Sequence, residues 1–211
     1  MELRRALETR RMTRDFADTA LAPDLIDDLV DLATRAPSAG KTQGWSLLVL
    51  AGDAKDEFWN LSLPPAKRTG FAWPGLLRAP IVALSFADPD AYVARYSEPD
   101  KVHTGLGSGI EAWQTPYWTV DASMATMALL LAAHDAGLGA LFFAVFNDPD
   151  AIREHFGVPS RLQLLGAIAL GHPNDNVPVG IDPKSSDRAR KGVSASRRRA
   201  TAAEVVHRGR W

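Results

Sequence analysis

The chain has 211 residues, 46% hydrophobic and 23% charged, which is enough for one ordinary domain with a sizeable core and too apolar for a disordered chain. Its formal net charge of −1 gives the molecule as a whole no reason to seek nucleic acid or an acidic membrane. With no cysteine, disulfides, thiol catalysis and thiolate metal sites are excluded, and the composition suits a reducing cytoplasm.

Residues 2–11 predict a first helix, and residues 1–5 lead into it without the apolar core of a signal peptide. Residues 15–20 predict a connector. Pro23 suits a first helical turn, Leu25, Ile26, Leu29, Val30 and Ala33 recur at helical spacing, and Arg35 and Pro37 mark the stop. Then comes Ala36-Pro37-Ser38-Ala39-Gly40-Lys41-Thr42-Gln43-Gly44-Trp45, a small polar loop that feeds an apolar strand over 47–50. Small residues let a ligand approach the main chain, and Gly40 and Gly44 add backbone freedom. Ser38, Lys41, Thr42 and Gln43 offer donors and acceptors to a flat polar ligand. The same pattern also suits a tight helix-to-strand turn with no ligand.

Residues 52–67 predict a helix broken by Pro64-Pro65, and 80–86 a second strand. Residues 88–118 hold Tyr92, Tyr96, Trp113, Tyr117 and Trp118 among glycines and charges; so long an irregular stretch suggests a lid or binding loop. Residues 120–136 predict a buried central helix, stopped by Gly137 and too short and polar to span a bilayer. Residues 140–146 predict a third strand, 149–156 a short helix and 164–170 a fourth strand. Apolar strands interspersed with helices predict a central sheet covered on both faces. From 184 to 210 the chain turns basic and small, with Arg197, Arg198 and Arg199 in a run. Alone, that run suits a nucleic-acid tail, but the apolar residues of 203–207 and Trp211 suit docking. The reading is a single domain, 1–211, with a lid over 88–118 and a C-terminal extension over 184–211.

Arg10-Arg11-Met12-Thr13-Arg14-Asp15-Phe16, then a helix, then the 36–45 loop and a strand, resembles the nitroreductase superfamily of FMN-dependent oxidoreductases. That family opens with Arg-x-Ser-x-Arg/Lys and follows with a segment like APSxxNxQPW. The likeness continues through Gly137-Leu138-Gly139-Ala140, Phe156-Gly157-Val158-Pro159 and Leu170-Gly171-His172-Pro173 to the basic C-terminal segment, so it spans nearly the whole chain.

The resemblance implies an α+β fold with a central, mostly antiparallel mixed sheet covered by helices on both faces. It also implies an intertwined homodimer with flavin sites at the subunit interface, each built from both chains. Arg10, Arg11, Met12 and Arg14 fall at the family's FMN-binding segment, with Arg10 at the phosphate and Arg14 near flavin N1 and O2. Met12 stands where the family has Ser, so one hydroxyl contact is missing. Pro37, Ser38, Ala39, Lys41 and Gln43 fall at the isoalloxazine contacts. Lys41 replaces Asn and only donates, and Gly44 replaces Pro. Ala144 and Val145 fall where the backbone approaches flavin N5. Arg197 and Arg199 match the remaining phosphate contacts, with Arg198 a competitor in register.

The activity implied is transfer of electrons from NADH or NADPH through FMN to a small flat acceptor such as a nitroaromatic or quinone. The cofactor carries that chemistry, so no catalytic side chain is expected. Tyr117 and Trp118 are the expected acceptor contacts. Specialised relatives, such as reductive dehalogenases or flavin-fragmenting enzymes, and a non-catalytic flavin protein are the alternatives. Gly137-x-Gly139 follows a helix and precedes a strand, the reverse of a dinucleotide fingerprint. The histidines do not cluster with carboxylates at metal-ligand spacing, and no nucleophile-elbow motif is present. No metal, nucleic-acid or membrane partner is expected.

Overall fold

A computed structural model describes residues 1–174 and 198–210. The chain divides into two compact units, Met1–Val177 and Pro178–Trp211.

In the first unit, helices α1 (Leu3–Thr9), α2 (Pro23–Ala33), α3 (Gly52–Ser62), α4 (Pro65–Arg68), α5 (Pro89–Tyr96), α6 (Tyr117–Asp135) and α7 (Pro149–His155) alternate with strands β1 (Trp45–Ala51), β2 (Ile81–Ala87), β3 (Gly139–Phe143) and β4 (Gln163–Gly171). The strands form one sheet in the order β1-β2-β4-β3, and every pairing within it is antiparallel. Among the described residues, the parallel component expected of a mixed sheet is a single bridge, Met12 to Ala140.

Side chains alternate across a strand, and β2 shows the consequence. Val82, Leu84 and Phe86 point into one apolar layer with Phe58, Trp59 and Leu76, whereas Ile81 and Ala83 point into another with Ile26, Leu29 and Leu129. Both faces are thus covered, by α3 and its neighbours on one side and by α2 and α6 on the other. Each fully buried Leu in these layers, such as Leu84 or Leu129, contributes about 1.5–3 kcal/mol over its exposed state. α6 is apolar nearly all round because it touches every strand of the sheet as well as α2.

The 52–67 helix is broken where expected, into α3 and α4 separated at Leu63-Pro64. Three other expectations shift. The first helix ends at Thr9, two residues early. Strand β3 stops at Phe143, so Ala144 and Val145 lie beyond it. Residues 88–118 are more regular than expected. Asp88 caps α5 by accepting from the Asp90 and Ala91 N–H groups (3.1 and 3.4 Å), three short 3-10 turns follow, and α6 begins at Tyr117.

In the second unit, α8 (Ala202–Val205) is held by a capping box between Thr201 and Glu204.

Candidate functional site

Residues 10–17 form an extended strap along the β3 edge. Arg10 closes α1, its N–H donating to Ala6 O (2.9 Å). The Arg11 guanidinium turns back onto Glu8 O (2.6 Å) and Arg10 O (2.9 Å), so it is committed to the end of α1. Met12 packs into both apolar layers. Thr13 N–H donates to Ala140 O (2.9 Å) and Phe16 bridges to Pro173, pinning the strap on either side of Arg14. Arg14 is exposed; its Nη1 donates to Met12 O (3.4 Å), and its guanidinium carbon stands 5.2 Å from the centroid of the Trp73 ring. Nearby, burial first and then the charges of Arg10 and Arg11 hold the His134 imidazole below its ordinary pKa, against the pull of Asp135.

The loop before β1 has an unusual backbone. Gly40, Lys41 and Gln43 have φ of +62°, +56° and +55°. For Lys41 and Gln43 that region costs about 1–2 kcal/mol each, so neighbours must hold them there. They do so by five contacts. Ala39 N–H donates to Asp121 Oδ2 (2.7 Å), and Arg95 Nε donates to Gly40 O (2.9 Å). Thr42 Oγ1 donates to Ala39 O (2.6 Å), Gln43 N–H donates to Ser38 Oγ (3.0 Å), and Gln43 Nε2 donates to Thr34 O (3.2 Å). The N–H groups of Lys41 and Thr42 close turns onto Ser38 O and Ala39 O (2.9 and 3.2 Å). Main-chain donors of Ala39, Lys41, Thr42 and Gln43 are therefore spent inside the protein. The Lys41 ammonium, by contrast, has no hydrogen-bond or ion-pair partner among the described residues. It stands with Pro37, Ser38, Gln43, Asp31 and Arg35 around an open depression of about 730 Å³.

The supports of this loop escaped the sequence reading. Asp121 is 5% exposed, and its Oδ2 also accepts from the Tyr92 hydroxyl (2.8 Å). Burial and that bond push the Tyr92 hydroxyl far above its usual pKa. Arg95 is fixed in turn by Asp100, through bonds of 2.7 and 2.8 Å, and holds the Asp100 carboxyl down to about 2. The available signal was Asp121 itself, a carboxylate near the start of a mostly apolar helix, which needs partners when buried. Gly44 also finds its reason here. A Cβ there would stand 2.8 Å from Tyr92 Cε2, so Tyr92 occupies the space that the family's proline would need.

Trp118 is 9% exposed, packed edge-on to Tyr92 and Trp113, with its indole N–H donating to Gln163 Oε1 (3.0 Å). Tyr117, 44% exposed, faces outward from the first turn of α6. Residues 89–113 pack under the 36–45 loop through Tyr92, Arg95 and Tyr96.

Ala144 is exposed and Val145 half-buried, and Phe146 N–H donates to Ser62 Oγ (3.2 Å). An aromatic row runs from Arg14 to this segment: Trp73 to Phe71 (5.9 Å between centroids), then Phe71 to Phe146 (5.5 Å). Arg14 and residues 144–146 thus belong to one surface. The 36–45 loop does not join them. It feeds β1 while the strap lies on β3, the two outer strands, and none of Arg10, Arg11, Met12, Arg14, Ala144 or Val145 lines the depression.

In the second unit Arg198 Nη1 donates to Glu204 Oε2 (2.7 Å), which commits its guanidinium. Arg199 is exposed and has no such partner among the described residues. Arg197 lies outside the described residues. Among the described residues no helix is long and apolar enough to cross a membrane, and no acidic or histidine group of three is placed to hold a metal.

The model of the nitroreductase family matches residues 7–172. A Methanothermobacter thermautotrophicus protein, provisionally named NADH dehydrogenase/NAD(P)H nitroreductase, is 27% identical over 179 residues, covering 83% of this chain and 80% of its own. The 4-nitrobenzoate reductase of Nocardioides sp. is 25% identical over 212 residues, covering 88% of this chain and 86% of its own. A nitroreductase-family structure from Streptococcus pneumoniae superimposes with a TM-score of 0.71 at 17% identity, covering 98% of this chain and 100% of that one. A protein from Exiguobacterium sibiricum solved in complex with FMN gives 0.67 at 18% identity, covering 86% and 91%. The strap, the loop before β1 and the four-stranded sheet agree with a match over 7–172: the chain belongs to the nitroreductase family.

Proposed function

We propose that this nitroreductase-family oxidoreductase binds FMN, takes electrons from NADH or NADPH and passes them to a small flat acceptor such as a nitroaromatic or quinone. One observation carries the reading. The 36–45 loop is clamped in a costly conformation, yet it leaves the Lys41 ammonium unspent on an open depression of about 730 Å³. That volume lies within the roughly 300–1,000 Å³ of small-molecule sites. The donor set fits a flavin: Lys41 and the Ser38 hydroxyl can donate to ring oxygens, and the Gln43 side-chain carbonyl can accept from a ring N–H. Lys41 and Gln43 together restore the donor-plus-acceptor pair that the family's asparagine supplies alone. Bound FMN would supply the two-electron relay between nucleotide and acceptor. The protein's part is to position, to place positive charge and to limit access.

The two-chain arrangement is part of the proposal. Strap and loop occupy opposite edges of the sheet; the strap lies outside β3, four strand spacings or roughly 19 Å from β1. One flavin contacting both sets therefore calls for the strap of one chain and the loop of its partner in a homodimer. Ala144 and Val145 would approach the ring beside the strap, and Tyr117 would face the acceptor with Trp118 behind it. A cytoplasmic location, where NAD(P)H is supplied, is part of the same proposal.

The purified protein should be yellow and release one FMN per chain in acid. Anaerobic NADH or NADPH should bleach its visible absorption, and a nitroaromatic should restore it. A colourless protein that fails to take up FMN on reconstitution defeats the proposal. Sedimentation across a dilution series, with flavin fluorescence followed in parallel, tests the dimer separately. Dissociation should release flavin, and a stable flavin-loaded monomer would remove the two-chain site.

A further inference from the structure

The segments that carry Arg14 and Trp73 are fastened together just beyond each residue. Phe16 N–H donates to Gly75 O (3.2 Å), and Arg78 Nε donates to Phe16 O (2.9 Å). The Arg78 Nη2 pairs with the Asp15 carboxylate. Gly75 is buried, and a Cβ there would run into that same carboxylate, so only glycine permits this approach. Trp73 itself opens the 3-10 turn Pro74–Arg78, its carbonyl accepting from Leu76 N–H (2.9 Å). Two backbones are thereby held in register, and their side chains meet. The Arg14 guanidinium carbon stands 5.2 Å from the Trp73 ring centroid, inside the range of about 6 Å over which a cation is attracted to an aromatic face.

Core packing does not account for Trp73, which remains 45% exposed. Its ring is backed edge-on by Phe71 at an interplanar angle of 89°, which fixes the plane that it offers to Arg14. An exposed arginine without such a platform spreads its charge over many rotamers. Stacking narrows that spread and removes water from one side of the guanidinium, so the charge acts more strongly in one direction.

We propose that Trp73 is a positioning residue: it holds the Arg14 guanidinium in the orientation from which its charge favours reduced over oxidised FMN. This rests on the FMN reading above and on Arg14 lying beside the flavin's pyrimidine edge. Trp73 acts through Arg14 and exchanges no proton or electron.

The test is a double-mutant cycle read by potentiometry on FMN-saturated protein: wild type, Trp73→Leu, Arg14→Ala and the double variant, with Trp73→Phe as the conservative replacement. Trp73→Leu should weaken the preference for reduced over oxidised FMN three- to tenfold. Tenfold lowers a two-electron potential by about 30 mV. Trp73→Phe keeps an aromatic face and should recover part of the shift. In the Arg14→Ala background Trp73→Leu should change nothing further, and the melting temperature should stay close to wild type throughout. No shift in Trp73→Leu overturns the proposal. An equal shift in both backgrounds also overturns it, because Trp73 would then act on the flavin by itself. Failure of the underlying reading shows elsewhere: wild type would take up no FMN, or Arg14→Ala alone would leave the potential unchanged. Either result removes the proposal with it.

Discussion

Asp121→Ala should destabilise the protein by about 3–5 kcal/mol, because each of the two neutral donors that it leaves unsatisfied costs about 1–3 kcal/mol. One carboxylate oxygen accepts from both Ala39 N–H (2.7 Å) and the Tyr92 hydroxyl (2.8 Å). Removing it strands two donors in a region closed by Tyr92, Trp113 and Trp118. For a chain of this length the melting temperature should fall by roughly 6–20 °C. The damage should also reach the site. Without the Ala39 anchor, Lys41 and Gln43 are free to leave their positive-φ conformations, and FMN affinity should drop. Tyr92→Phe separates the two effects. It removes one donor together with its demand, leaves Ala39 anchored, and should cost about 1 kcal/mol with FMN affinity nearly unchanged. Thermal melts with and without added FMN measure both quantities. If Asp121→Ala melts within a degree or two of wild type, Asp121 is not what holds the loop.

Arg14→Ala should lower the reduction potential of bound FMN more than it weakens FMN binding. Reduced flavin is anionic at N1, and a cation beside it stabilises that form over the neutral oxidised one. At close range near a protein surface a unit charge is worth up to about 4 kcal/mol. Because Arg14 is exposed, water screens part of this, and about 1–3 kcal/mol is expected. For a two-electron couple that is about 20–65 mV. Arg14→Lys keeps the charge but loses the planar fork that stacks on Trp73, so it should fall between wild type and alanine. Potentiometry at saturating FMN separates potential from occupancy. A potential unchanged in Arg14→Ala would place this guanidinium away from the pyrimidine ring.

Much of the molecule was legible because its signals are local. β2 is an apolar run interrupted by Ser85 and is buried on both faces. The 3.6-residue recurrence of Leu25, Ile26, Leu29, Val30 and Ala33 is α2, and Pro23 stands at its first turn. The Arg10–Arg14 strap and the 36–45 loop were visible as motifs, and the family follows from their order. Asp88-Pro89 was a local signal that the aromatic, glycine-rich surroundings obscured. An Asp cap followed by Pro at the first helical position begins α5 inside a stretch read as irregular.

Other features depend on pairings between distant residues, which no local pattern shows. Strand order is such a pairing. Nothing local in 45–51 or 139–143 says that these become the outer strands, yet their placement separates strap from loop. The role of Trp118 is another. Its sequence neighbourhood suggested an exposed face, but α6 begins at Tyr117 and turns Trp118 inward to Tyr92 and Gln163. Gly44 against Tyr92 and Gly75 against Asp15 are close approaches between segments far apart in the chain, and composition cannot show them. Periodicity and motif chemistry act within a few residues, so most of the elements, the core strands and the family were readable without the fold. Burial, hydrogen-bond partners and strand order are set by chain folding over long separations, so only the structure determined which side chains are spent on support and which remain to meet a ligand.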